Sequence, residues 1–348
     1  MTVNISVCIP AYNRSGVLSA LLDSIAAQDY DDYEIVICED LSPERQAIAA
    51  IANGFAASNR ARVRYFENEQ NLGYDRNLRR LLDVAEGTYC LYMGNDDLLA
   101  PGALRCIASA IARHDDIGVV LRSYSSFDDH PDNLTQTFRY FPTERFFPAG
   151  ADSIGTVFRR SVVISGMTFH RALARELATD QFDGSLLYQL YLVARILSRK
   201  NGVFVPQIIS FYRNGGIPDF GNAESERGKF VPRQHTPESS LHFMREMLRI
   251  AEYVQRVDNV AIKDPILLDI ANYSYPVLSI QADKPLGTFL RYIRDLQRLG
   301  FGRSPLFHLY CLSLLLLGDR RSNAIIGFIK RRLGYTPRIG GIYDGRSA

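Results

Sequence analysis

Apolar residues along the first third of the chain alternate between two spacings. Ile5–Ile9 is a short, largely apolar run closed by Pro10. After Ser15, which fits a helix cap, Val17, Leu18, Leu21, Leu22 and Ile25 recur every three or four residues, the period of a half-buried helix. "YEIVICED" and "RVRYFEN" read as second and third strands, and Leu78, Leu81, Leu82 and Ala85 mark another helix face. "TYCLYM" is a fourth strand, "PGALRCIASAIARH" a helix with Pro101 in its first turn, and "IGVVLRSY" a fifth strand. Strands apolar throughout, separated by helices, predict a mostly parallel sheet covered on both faces, an α/β class.

The pattern divides the chain into residues 1–125, 126–235 and 236–348. The middle part loosens into loops rich in Phe, Tyr, Pro and Gly, with one helix in "SLLYQLYLVARILSRK" and one strand in "VFVPQIISFY". Beyond Thr236-Pro237-Glu238, a good helix start, the pattern is helical. "PLFHLYCLSLLLLG" is too short for the roughly 20 residues that span a bilayer. The following "RRSNAIIGFIKRRLG" sets Ile325, Ile326, Phe328 and Ile329 among Arg320, Arg321, Lys330, Arg331 and Arg332. Two readings stand for it: a helix lying on an anionic membrane surface, or one packed on its own domain.

Composition narrows the classes. In 348 residues, 47% are hydrophobic, enough for a sizeable core, and the net charge of +2 argues against a nucleic-acid binder. Cys8, Cys38 and Cys90 lie in apolar strands with no C-x-x-C pair, and the start "MTVNISVCIP" lacks a signal peptide. The expectation is a cytoplasmic protein, at most peripheral to the inner face of the cytoplasmic membrane.

Candidate chemistry gathers at strand ends. Pro10-Ala11-Tyr12-Asn13 follows strand one, Glu39-Asp40 strand two and Asn95-Asp96-Asp97 strand four, where open α/β sheets collect ligands. Adjacent carboxylates repel unless a cation or solvent separates them. A Mg²⁺-type ion held by one or two carboxylates and a substrate phosphate would justify Asp96 and Asp97. Taken singly, an Asp-Asp pair is equally a turn, and Asp40 could open the next helix.

Two longer blocks change the odds. "SVCIPAYNRSGVLSALLDSIAAQDYDDYEIVICEDLSPE" and "NEQNLGYDRNLRRLLDVAEGTYCLYMGNDDLLAPGAL" resemble, in order, the opening blocks of family-2 inverting glycosyltransferases of GT-A fold, such as bacterial O-antigen and capsule transferases. The resemblance implies a Rossmann-like nucleotide-binding half in which Pro10, Ala11, Tyr12 and Asn13 line a nucleotide pocket. Asp40, beside Glu39, would read the base, and Arg76 would approach it. Asn95 and Asp96 would lie by the ribose, and Asp97 with Asp96 would hold Mn²⁺ or Mg²⁺. Arg213 would sit near the diphosphate, and Asp183, with Asp180 second and Asp152 and Asp219 next, would be the catalytic base. The donor would be UDP-, dTDP- or CDP-linked, and the acceptor a saccharide on a lipid carrier. Glu39, Leu41 and Asn95 replace the Asp, Gly and Asp usual in that family. The chain lacks the Gly-rich phosphate loop of a sugar-phosphate nucleotidyltransferase and the G-x-G-x-x-G of a dinucleotide enzyme. A non-catalytic glycan-binding protein on the same fold is the rival outside enzymology.

Overall fold

The structure, a computed structural model, describes residues 4–59, 62–215 and 219–333. Its strands are β1 (Ile5–Ala11), β2 (Tyr33–Glu39), β3 (Arg62–Glu67), β4 (Tyr89–Tyr92), β5 (Leu98–Leu99), β6 (Ile117–Phe127), β7 (Leu134–Phe138), β8 (Arg145–Phe147), β9 (Thr168–His170) and β10 (Asn201–Arg213). They form one sheet in the order β3-β2-β1-β4-β9-β6-β10-β5, with β7 on β6 and β8 on β10. β3, β2, β1 and β4 run parallel, as do β6 and β10. The expected fifth parallel strand does not join β4 directly. Short β9 lies between β4 and β6, antiparallel to both.

Each central strand is apolar on both faces because each face is covered. Val7 and Ile9 of β1 and Ile35 and Ile37 of β2 pack on one side with α1 (Ser15–Ala26), α2 (Arg45–Ser58) and the later α4 (Ala103–Arg113). Cys8, Val36 and Cys38 face the other side, against α3 (Tyr74–Val84) and the helices α5 (Ala151–Val157), α6 (Arg171–Glu176) and α7 (Tyr188–Leu197). The spaced leucines Leu18, Leu21 and Leu22 of α1 and Leu78, Leu81 and Leu82 of α3 are buried as their period requires.

Two local expectations are corrected. Ser15 does not cap α1; the preceding residue is Arg14 in left-handed conformation, and the Ser15 amide donates to Glu44 Oε2 at 2.7 Å. The helix expected after Gly184 begins at Tyr188. Leu186 has φ 63°, and buried Asp75 on α3 accepts from the amides of Ser185, Leu186 and Tyr188 at 2.9–3.0 Å. A carboxylate from another helix thus caps α7, which no local pattern encodes.

The C-terminal part is helical, as its pattern predicts: α8 (Pro237–Asp258), α9 (Lys263–Asn272), α10 (Tyr275–Gln281), α11 (Leu286–Arg298) and α12 (Pro305–Leu333). Thr236 caps α8, its hydroxyl accepting from the Ser239 amide. α12 is broken at Gly318 (φ 74°). Before the break it buries Phe307, Cys311 and Leu314 and exposes Leu309, Leu312, Leu315 and Leu316. The side chains of Ile329, Lys330, Arg331 and Arg332, on which the membrane reading partly rests, lie outside the described residues. Among the described residues, no helix is long and apolar enough to cross a membrane.

Candidate active site

A cleft of about 510 Å³ opens at the carboxyl ends of β1, β2 and β4, where the sheet order reverses. Pro10, Ala11, Tyr12, Asp40, Asn95, Asp96 and Asp97 line it together. Residues more than 80 positions apart in sequence meet because parallel crossovers return each strand to the same edge.

Asp40, immediately after β2, is buried and organises the turn before α3. It accepts from Asn68 Nδ2 and the amides of Leu72 and Gly73, each at 2.8 Å. Burial raises its carboxyl from the ordinary 3.8 to about 6, while those donors pull the other way. Gly73 sits here with φ 78°, and a Cβ on it would lie 2.8 Å from Ala223 Cβ. Glu39 takes a different part from the one expected. Fully buried, it accepts from the amides of Leu41 and Ser42 and from Arg45 Nε at 2.6–3.0 Å, closing the β2–α2 turn rather than facing the cleft.

The second carboxylate group lies after β4. Asp97 is buried, with Oδ2 accepting from the Ser165 hydroxyl and Oδ1 from the Arg213 amide at 2.9 Å. Burial raises it from 3.8 to about 7, and Asp96 adds to the rise. Asp96 pairs with Arg14, and Arg213 Nε donates to the Asp96 carbonyl at 3.0 Å. Asn95 Nδ2 donates to the Asn13 carbonyl at 2.9 Å, tying the β4 turn to the β1 turn. Asn13 has φ 54°, and its Oδ1 is buried with no hydrogen-bond partner among the described residues.

These donors suit a hard divalent cation: two adjacent carboxylates, one raised by its neighbour, in a site where positive charge would relieve the repulsion. Among the described residues no cluster of three or more His, Cys, Asp or Glu could hold a metal ion. Asp96 and Asp97 would therefore share the ion with phosphate oxygens and water.

Of the expected site residues, Asn13, Glu39, Arg76, Asp152, Asp180, Asp183 and Arg213 are not among those lining the cleft. Asp183 forms a two-pronged pair with Arg79, Nη2 to Oδ2 at 2.9 Å, and Arg76 Nε lies 3.9 Å from the same carboxylate. Arg79 also donates to the Thr179 carbonyl at 2.7 Å. Both charges are spent bracing the turn before α7. Asp180 is exposed in that turn, its carbonyl accepting from the Asp183 amide.

Apart from Asp219, the sequence reading missed the cleft's roof, and it missed the rear support. The roof is the segment after β10, where Asp219, Phe220, Glu226 and His235 line the cleft. Glu226 accepts from the Tyr74 and Gly221 amides at 2.8 Å, and Phe220 meets Tyr74 edge-on at 5.6 Å. Asp219 Oδ2 accepts from Asn13 Nδ2 at 3.2 Å. Gly184 lies under this segment, where a Cβ would come within 1.9 Å of the Ser225 carbonyl. The rear support is fully buried Arg122 of β6, which donates to the carbonyls of Ser165 and Val163 at 2.8 and 2.7 Å. It fixes the wall on which Ser165 meets Asp97. A lone arginine inside the apolar run "IGVVLRSY" was the available signal.

Comparison with known proteins agrees with this geometry. Residues 6–177 match the family described as Glycosyl transferase family 2. Those residues are a family-2 glycosyltransferase domain. Within that family, the abequosyltransferase RfbV of Salmonella typhimurium is 32% identical over 124 residues, covering 36% of this chain and 37% of that protein. The match spans little more than a third of that relative. S. aureus TarS 1–349, solved in complex with UDP-GlcNAc, superposes with a TM-score of 0.61 at 17% identity, covering 96% of this chain and 93% of that one. The mannosyltransferase PcManGT from Pyrobaculum calidifontis, solved with GDP-Man and Mn²⁺, gives a TM-score of 0.51 at 15% identity, covering 97% and 82%. At such identities the likeness carries the fold, and the fold is the GT-A type expected from the sequence.

Proposed function

We propose that this glycosyltransferase moves a sugar, with inversion, from a nucleoside diphosphate donor to a saccharide acceptor in surface polysaccharide assembly. The carrying observation is the convergence of Asp40 and the Asp96–Asp97 pair on one cleft. Asp40 would accept from the ring N–H that uracil and thymine carry and cytosine lacks, which favours UDP or dTDP over CDP. Mn²⁺ or Mg²⁺ held by Asp96 and Asp97 would offset the charge the diphosphate gains as the glycosidic bond breaks. Arg14, beside Asp96, adds a fixed positive charge at that edge. The acceptor oxygen bonds to the anomeric carbon as the diphosphate leaves with the bonding pair, and the hydroxyl proton passes to a base. Asp183 is held by Arg79 away from the cleft lining, and Glu226 is engaged by two amides. Asp219, whose pairing with Arg233 at 3.4 Å is more exposed, and His235 are the groups of the cleft left for that proton.

The names of the relatives support a role in O-antigen or capsule synthesis, and the Mn²⁺ in PcManGT supports metal dependence. The exposed leucines of α12, followed by exposed Arg320 and Arg321, suit peripheral contact with an anionic membrane carrying a lipid-linked acceptor.

The test is hydrolysis of UDP- and dTDP-sugars with and without Mn²⁺. Metal-stimulated hydrolysis that disappears in Asp97→Asn is expected. A non-catalytic binder, the rival that Asn95 leaves open, would bind the donor and leave it intact.

A further inference from the structure

Beside the donor cleft, across Val163 and Tyr212, lies a second hollow of about 350 Å³. It opens next to the chemistry. Tyr212 precedes Arg213, whose amide donates to Asp97 Oδ1. Its walls are the β6–β7 hairpin and the end of β10.

Stacked rings and a hydrogen-bonded polar rim form the hollow. Tyr124 and Phe138 are opposed in the hairpin register and stack with ring centroids 4.5 Å apart and planes 10° apart. The buried Arg122 guanidinium backs Tyr124 at 4.8 Å. Around this aromatic surface stand Ser126, Thr135, Gln136 and Asn214. Ser126 and Thr135 share a hydroxyl–hydroxyl bond of 2.8 Å. Asn214 Nδ2 donates to Thr135 at 2.7 Å and to Asp128 at 3.0 Å, which fixes its amide and leaves Oδ1 as an acceptor. No Lys, Arg, His, Asp or Glu is among the lining residues.

We propose that this hollow binds a neutral sugar unit of the acceptor, an inference that rests on the glycosyl-transfer reading above. Sugar hydroxyls both donate and accept, so they match hydroxyls and amides. The C–H face of a pyranose packs on an aromatic surface. A uronic acid or phosphate would meet no cation in the lining, since Arg122 lies behind the Tyr124 ring, and its desolvation would be poorly offset. The hairpin thus selects the acceptor, while the strand ends beneath it hold the donor.

The test uses saturation-transfer NMR on the full chain with methyl galactoside, mannoside, rhamnoside and glucuronide as probes. UDP with Mn²⁺ is titrated separately into the same samples. Gln136→Trp fills the hollow from an exposed strand position, and Asn214→Ala removes the fixed amide. At least one neutral glycoside should receive saturation, the glucuronide should not, and both variants should lose the signal while binding UDP as before. Silence from all three neutral glycosides would overturn the proposal. So would a signal that survives in Gln136→Trp, or one equally strong for the glucuronide. If UDP fails to bind while the neutral glycosides behave as expected, the donor reading falls and the saccharide subsite stands.

Discussion

Asp40 shows how one buried carboxylate can serve both fold and ligand. Three donors hold it against the Asn68–Gly73 turn, and the cleft lies in front of it. Its acid form persists in the folded chain up to about pH 6, whereas the unfolded chain releases that proton near 3.8. The folded state therefore holds the extra proton between those values. This group's contribution to stability falls as pH rises through that window and is level above it. Nucleotide binding should move the opposite way, because only the ionised form accepts from the base. UDP affinity is expected to weaken progressively below about pH 6. Asp40→Ala should bind weakly and lose that part of the pH dependence, keeping the part that belongs to Asp97. Titrations at pH 5 and pH 8 check it; equal affinities would remove Asp40 from the base pocket.

Asp183 poses the converse case. Its bond to Arg79 is charge-assisted and partly shielded, so Asp183→Asn should cost about 1–3 kcal/mol of stability. Transfer should fall by less than the ~10²–10⁴ that loss of a general base brings. A thermal melt beside a transfer assay separates the two. An unchanged melt with a hundredfold slower transfer would restore Asp183 as the base.

At the scale of elements, periodicity exposed most of the first half. The strands β1 to β4 and helices α1, α3 and α4 repeat their apolar residues regularly and lie close to where their patterns put them. Pro101, expected in the first turn of α4, stands before its Gly102 cap. The elements that escaped are short or polar: β5, β8 and β9 have two or three residues each, and β7 is "LTQTF". They exist because neighbouring strands offer unpaired edges, which is tertiary information. Apart from Asp219, the cleft's roof escaped for a similar reason. Asp219 and Glu226 sit in a segment of loops and turns with no repeat, held by amides of β1–α1 and α3 rather than by its own pattern. The donor carboxylates were legible because strand ends are fixed by the strands.

α12 gives the element-scale prediction. Leu309, Leu312 and Leu316 form one stripe at helical spacing, and Leu316 is 72% exposed. Such a stripe beside Arg320 and Arg321 should bind vesicles containing phosphatidylserine. Leu312→Asp with Leu316→Asp should move the protein into the supernatant of a vesicle sedimentation assay without altering its melting temperature. Equal sedimentation of variant and parent would exclude this face.

For the whole molecule, one sheet connects three tasks. Its parallel half presents Asp40 and the Asp96–Asp97 pair, its mixed half carries the wall from Arg122 to Ser165, and the helical part presents an apolar flank. The central claim is that the cleft takes a nucleoside diphosphate together with a divalent ion. The most direct measurement is calorimetric titration of UDP into the full chain, with Mn²⁺ and with EDTA, on wild type and Asp97→Asn. The account predicts binding that is strong with Mn²⁺, much weaker with EDTA, and equally weak in folded Asp97→Asn under both conditions. UDP affinity indifferent to Mn²⁺ and to Asp97, or no binding of UDP at all, would contradict it.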